Sequence, residues 1–168
     1  LDMMISKMSE GMVETLKIFF LTLLFSLPLG LVIAFGRMAK NRIIRYIVTV
    51  YIAIMRGTPL MLQVMAIYFG PNYLLHIRIP RSYRFIAIIV AFALNYAAYF
   101  AEIYRSGIES MPVGQYEAAR LLGYNKAQTF FKIILPQVIK RILPSITNEV
   151  ICLVKDTSLA FSIAYLEM

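Results

Sequence analysis

Residues 18–36 read IFFLTLLFSLPLGLVIAFG and contain no charged side chain. A helix rises about 1.5 Å per residue, so such a run crosses most of a hydrocarbon layer roughly 30 Å thick. Outward from it, residues 46–75 form a second apolar stretch with one charge, Arg56, and residues 85–101 are again uncharged. Residues 142–163 are apolar but interrupted by Glu149, Lys155 and Asp156. The pattern predicts an all-α integral membrane protein with four spans, at about 12–36, 46–75, 84–104 and 137–157, in one domain covering 1–168.

Composition agrees. The 168 residues are 60% hydrophobic and only 15% charged, with a mean hydropathy of +0.72. A soluble surface needs a larger charged fraction. The first run is long for a secretory leader, holds Pro28 and Gly30, and is followed by further apolar stretches; it reads as a span.

The net charge of +8 could suggest nucleic acid, but its placement argues for lipid. Arg37, Lys40, Arg42 and Arg45 follow the first span, and Arg105, Arg120, Lys126, Lys132, Lys140 and Arg141 surround the segment before the fourth. Alternating spans put these ten on one side, against Lys7, Arg78, Arg81 and Arg84 on the other. Basic loops stay inside, so residues 37–45 and 105–141 are expected in the cytoplasm and the N-terminus outside. The single cysteine, Cys152, makes no intrachain disulfide and reads as a small packing residue. His76, the one histidine, has no partners nearby for a metal site or a general base, and no catalytic or metal site is expected.

The second stretch is interrupted by Arg56-Gly57-Thr58-Pro59. Proline removes a helix hydrogen bond and glycine loosens the backbone, which predicts a kink or an unwound turn. In a bilayer, irregular backbone persists only where protein or a water-filled cavity covers it. Residues 56–59 therefore line a pathway, or else end a helix at the interface with Arg56 reaching headgroups.

In the third span Ala93, Ala97 and Ala101 recur every four residues, a small-residue face that lets helices approach. Asn95, Tyr99, Glu102 and Ser106 make a polar stripe on another face, which is expected to look inward. Residues 110–136 are too polar to span. Pro112 can open a short helix over 114–122, with Gly123 just past its end. Asn125 and Gln128 form a capping pair for a second helix, which Pro136 is expected to disrupt. Ala118, Leu121, Leu122, Phe130 and Phe131 leave an apolar surface for a partner or for the protein's own spans.

Residues 117–136 contain Glu117-Ala118-Ala119, three residues, Gly123, nine residues, then Ile133-x-Leu135-Pro136. This matches EAA-x3-G-x9-I-x-L-P throughout and resembles the EAA motif of membrane subunits of binding-protein-dependent ABC importers. Arg56-Gly57-Thr58-Pro59-Leu60 with Gln63 is similar to the polar amino-acid branch of those permeases, as are NYAAYFAEIYR at 95–105, Asn148-Glu149 and Lys155-Asp156-Thr157-Ser158-Leu159. Members of that branch usually continue into one more helix, so one further span is expected beyond residue 168.

The resemblance implies a type I ABC importer permease-like bundle in the cytoplasmic membrane of a prokaryote, with residues 110–136 as coupling helices. A second permease subunit, identical or paralogous, would complete the pathway, and an external solute-binding protein would deliver an amino-acid substrate, polar and basic ones included. Two cytoplasmic ATPase subunits would carry ATP and magnesium. This chain has no G-x-x-x-x-G-K-[ST] and is expected to hold no cofactor.

The resemblance gives Glu117, Ala118, Ala119 and Gly123 the contact with the ATPase; the residues alone allow Glu117 simply to pair with Arg120. Glu149 lies within an apolar helix, where a carboxylate should face a cavity or a partner. It is expected, with Asn95, Tyr99 and Asn148 and beside Arg56 and Thr58, to line the substrate pathway. The alternative for Glu149 is an ion pair with Arg56 or a dimer mate. An ATP-independent channel would explain the polar stripe but not the double helix, and a membrane-embedded enzyme would need more acidic or histidine residues than Glu149 and Glu102.

Overall fold

The computed structural model describes the backbone of residues 2–75 and 83–165 and the side chains of residues 11–73 and 83–157. His76, Arg78 and Arg81 lie outside the described residues. The described chain is helical: α1 (Asp2–Arg37), α2 (Arg42–Gly57), α3 (Leu60–Leu75), α4 (Tyr83–Glu109), α5 (Val113–Leu121), α6 (Lys126–Gln128) and α7 (Leu135–Tyr165). Between α6 and α7, residues Thr129–Ile134 wind as a π-helix.

α1 runs unbroken through Pro28, and its uncharged part, residues 18–36, has Phe20, Leu24 and Val32 exposed. Such a helix belongs in lipid. Its main partner is α4. The approach is close at Gly30, where a Cβ would sit 2.8 Å from the Phe100 Cβ and 3.1 Å from the Ala97 carbonyl oxygen. Ala93, Ala97 and Ala101 are buried, so the small-residue face of α4 does bring helices together. α1 and α4 are each long and apolar enough to cross a membrane.

The stretch 46–75 is not one continuous helix. α2 starts at Arg42 and is followed, after the break at Thr58-Pro59, by α3 at an angle of 108°, so the two count as one span only if a sharply broken one. Asn41 caps α2 by accepting from the Ile43 N–H at 2.9 Å.

Pro136 also acts differently from expectation. The helix that starts at Lys126 does not stop there but continues into α7 and on past Pro144. The π-helical turn explains this: the Leu135 N–H reaches back five residues to the Phe130 carbonyl. That wider ring moves the preceding carbonyls away from the pyrrolidine, which would clash in an α-helix. The expected span 137–157 is thus the middle of one helix that also carries Lys140, Arg141, Glu149, Lys155 and Asp156.

Candidate functional site

The break between α2 and α3 is built from its own residues. In an α-helix the Met55 carbonyl would accept from residue 59, but residue 59 is proline and has no N–H. Two side chains replace it: Gln63 Nε2 donates to Met55 O at 2.9 Å and Asn95 Nδ2 at 3.0 Å. Gln63 Nε2 also lies 3.1 Å from Thr58 O and 2.8 Å from Thr58 Oγ1, and its Oε1 accepts from Asn95 Nδ2 at 3.0 Å. Thr58 Oγ1 in turn donates to Ile54 O at 2.8 Å. An orphaned carbonyl, costly in an apolar setting, is thereby satisfied. Asn95, only 5% exposed, pins the break to α4.

Beside the break lies a cavity of about 440 Å³ lined by Thr58, Asn95, Tyr96, Tyr99, Glu149 and Asp156. Glu149, Cys152 and Asp156 stand three and four residues apart, so α7 presents them from one face. Tyr96 Oη donates to Asp156 Oδ2 at 2.7 Å, tying α4 to α7 across the cavity. Glu102 and Glu109 are in ion pairs with Arg37 and Arg105. Glu149 makes no contact within 4 Å with Arg56, although the Arg56 charge acts on it.

Thr58, Asn95, Tyr99 and Glu149 are therefore brought together as expected. Two others are not. Asn148 is exposed on α7 and lines no part of this cavity. Arg56 lies in a neighbouring cavity, its guanidinium carbon 5.1 Å from the centre of the Tyr99 ring. The polar stripe of α4 divides: Asn95 and Tyr99 face the cavities with Glu102 below, whereas Ser106 is exposed. Cys152, read from sequence as a packing residue, is part of the cavity wall. Asp156 and Tyr96 were absent from the expected site. The carboxylate seven residues after Glu149 was the available signal, since two helical turns return it to the same face.

Beyond the C-terminal end of α4, residues 110–134 form a protrusion. α5 ends on Gly123, whose φ is +77°. Gly123 N–H donates to Arg120 O and Tyr124 N–H to Ala119 O, both at 3.0 Å, the paired bonds of a Schellman turn. Asn125 and Gln128 complete a capping box, with bonds of 2.8 and 3.0 Å. Of the EAA residues, Ala119 is buried while Glu117 and Ala118 face outward, and Glu117 forms no ion pair with Arg120 among the described residues. Leu121, Leu122 and Phe131 are 90%, 74% and 65% exposed, so most of the apolar surface is left uncovered. Phe130 alone turns inward, onto a cluster of Met111, Ile134, Val138 and Ile142. Arg141 Nη1 fastens this unit by donating to Ser110 O at 2.6 Å and Ser110 Oγ at 3.0 Å.

Comparison with known proteins agrees with this architecture. The chain is 40% identical over 157 residues to the L-cystine transport system permease protein TcyL of Bacillus subtilis, covering 92% of this chain and 66% of that one. It is 37% identical over 168 residues to the nopaline transport system permease protein NocM of Agrobacterium fabrum, covering 96% and 70%. A solved structure described as an amino acid ABC transporter with histidines superposes with a TM-score of 0.82 at 36% identity, over 96% of this chain and 75% of that one. Residues 26–165 match the family described as the binding-protein-dependent transport system inner membrane component, and the chain belongs to that family.

Proposed function

We propose that this chain is the permease subunit of an ATP-driven importer for a polar amino acid. In this reading it lies in the cytoplasmic membrane with its N-terminus outside and the protrusion of residues 110–134 inside. The protrusion docks on a cytoplasmic ATPase subunit that holds ATP and magnesium. A second permease subunit completes the pathway, and an external binding protein delivers the substrate. The family, and the amino-acid transport names of the relatives, favour an importer over an ATP-independent channel.

The observation that carries the reading is the exposed apolar tip of a rigidly capped protrusion, with Leu121 90% exposed. Leu121, Leu122 and Phe131, left uncovered together by the described residues on an ordered unit, offer a docking face. Glu117, outward and unpaired, adds a charge to the same face. Gly123 provides the turn and Ala119 the close packing behind it.

In the polar cavity, the carboxylate of Glu149 supplies an acceptor for an ammonium group, and Asp156 supplies a second carboxylate. That pair favours a basic amino acid, while Thr58, Asn95 and Tyr99 shape the wall. The test is ATP-dependent amino-acid uptake by the complete transporter in proteoliposomes, with a Leu121→Asp variant. Being exposed, residue 121 tolerates aspartate without loss of fold. Uptake should fall at least tenfold with weaker retention of the ATPase subunit. Wild-type uptake with normal assembly would remove the docking role.

A further inference from the structure

Tyr99 lines two cavities. One is the polar cavity of Glu149. The other, also about 440 Å³, is lined by Arg37, Thr49, Arg56, Tyr99 and Glu102. Their charge balances differ. Glu102 is held by Arg105, with Nη2 at 2.7 Å and Nε at 3.1 Å, and by Arg37 Nε at 3.5 Å. Its single charge is thus shared by two guanidiniums. Arg56 forms no ion pair within 4 Å among the described residues; its guanidinium rests on the Tyr99 ring, near enough to Glu102 and Glu149 for its charge to act on both. The second cavity therefore carries excess positive charge, and the first carries excess negative charge on Glu149.

We propose that this second cavity is a carboxylate subsite, in which Arg56 binds the α-carboxylate of the transported amino acid on the far side of Tyr99 from Glu149. The proposal rests on the reading of the Glu149 cavity as part of the pathway. A zwitterion presents opposite charges a few atoms apart, and here Arg56 and Glu149, opposite in sign and not within 4 Å of each other, line the two cavities that Tyr99 shares. A guanidinium suits the task because its planar fork of N–H donors matches a carboxylate with two parallel hydrogen bonds. Stacking on an aromatic face holds that plane in place and leaves its edges open. Thr49 supplies a hydroxyl in the same wall. Arg37 adds positive charge, although Glu102 already occupies it.

The experiment is equilibrium binding to the complete transporter in nanodiscs, without the external binding protein. The ligands are L-glutamine, L-arginine and the α-amide of each, which keeps the ammonium but lacks the carboxylate. Wild type should bind each acid at least tenfold more tightly than its amide, and Arg56→Gln should weaken the acids about tenfold while leaving the amides unchanged. Arg56→Lys should restore part of the difference. Glu149→Gln should weaken acids and amides alike.

If Arg56→Gln weakens acids and amides equally, or changes neither while Glu149→Gln is effective, the carboxylate subsite is overturned and the pathway stands. If Glu149→Gln changes nothing, or wild type binds none of the four ligands, the pathway reading fails and the subsite with it. An Arg56→Gln effect seen only in discs containing anionic lipid would assign Arg56 to phosphate headgroups and equally overturn the proposal.

Discussion

At the scale of single residues, the break after Gly57 is a local problem with a distant answer. Pro59 leaves the Met55 carbonyl without its helical donor, and Gln63 and Asn95 supply substitutes. Asn95→Ala should therefore destabilise the protein by about 1–3 kcal/mol, read as a lower melting temperature in detergent. Pro59→Ala restores an N–H to that carbonyl and should recover part of the loss when combined with Asn95→Ala. Strict additivity of the two changes would show that they do not act on one carbonyl. Within the cavity, Glu149→Gln should reduce amino-acid uptake about tenfold, whereas Asn148→Ala should stay within about twofold, because Asn148 is exposed on another face. Much of the cavity was legible in the sequence: an apolar helix bearing Glu149, a broken helix at Thr58, a polar stripe with Asn95 and Tyr99. What the residues could not reveal was the division of labour. Asn95 and Asn148 are chemically identical in a string of letters, and only packing decides that one pins a backbone and the other points away.

Among the elements, periodicity located the helices well where an apolar run was pure, as in α1 and α4. It did less well where proline was the guide. Pro28 and Pro144 lie inside continuous helices, Pro59 marks a turn of 108°, and Pro136 is absorbed by a π-helical turn. A missing N–H has the same local effect each time; the outcome depends on whether neighbouring backbone or side chains take over the carbonyl. The capping signals around α5 and α6 were more reliable, because a cap is satisfied within four residues. Gly123→Ala should cost about 1 kcal/mol at its left-handed φ, and Asn125→Ala about 1 kcal/mol through its lost cap. Both are measurable by thermal unfolding. The contact of α1 with α4 is less forgiving. Gly30→Leu would drive a side chain into Phe100 and the Ala97 carbonyl, and the variant should fail to accumulate in the membrane fraction.

For the whole molecule, the cavity lies midway along α4 and α7 while the protrusion joins the end of α4 to the start of α7, and a small set of contacts fastens it there. Arg141 and its two bonds to Ser110 fasten the protrusion to the end of α4, over the cluster of Met111, Ile134, Val138 and Ile142. Arg141→Ala should leave assembly with the ATPase intact but reduce uptake several-fold more than ATP hydrolysis, as measured together in proteoliposomes. Equal losses in both would show that Arg141 only stabilises the fold.

The absorption of Pro136 by a wider turn has a mechanical consequence. Because winding never stops between Lys126 and the cavity, whatever grips the protrusion at Phe131 holds one end of a single shaft whose other portion bears Glu149 and Asp156. From Ile134 to Glu149 that shaft measures roughly 22 Å, so a swing of about 5° would carry the carboxylate along an arc of about 2 Å. A displacement of that size is enough to make or break a hydrogen bond with a passing solute.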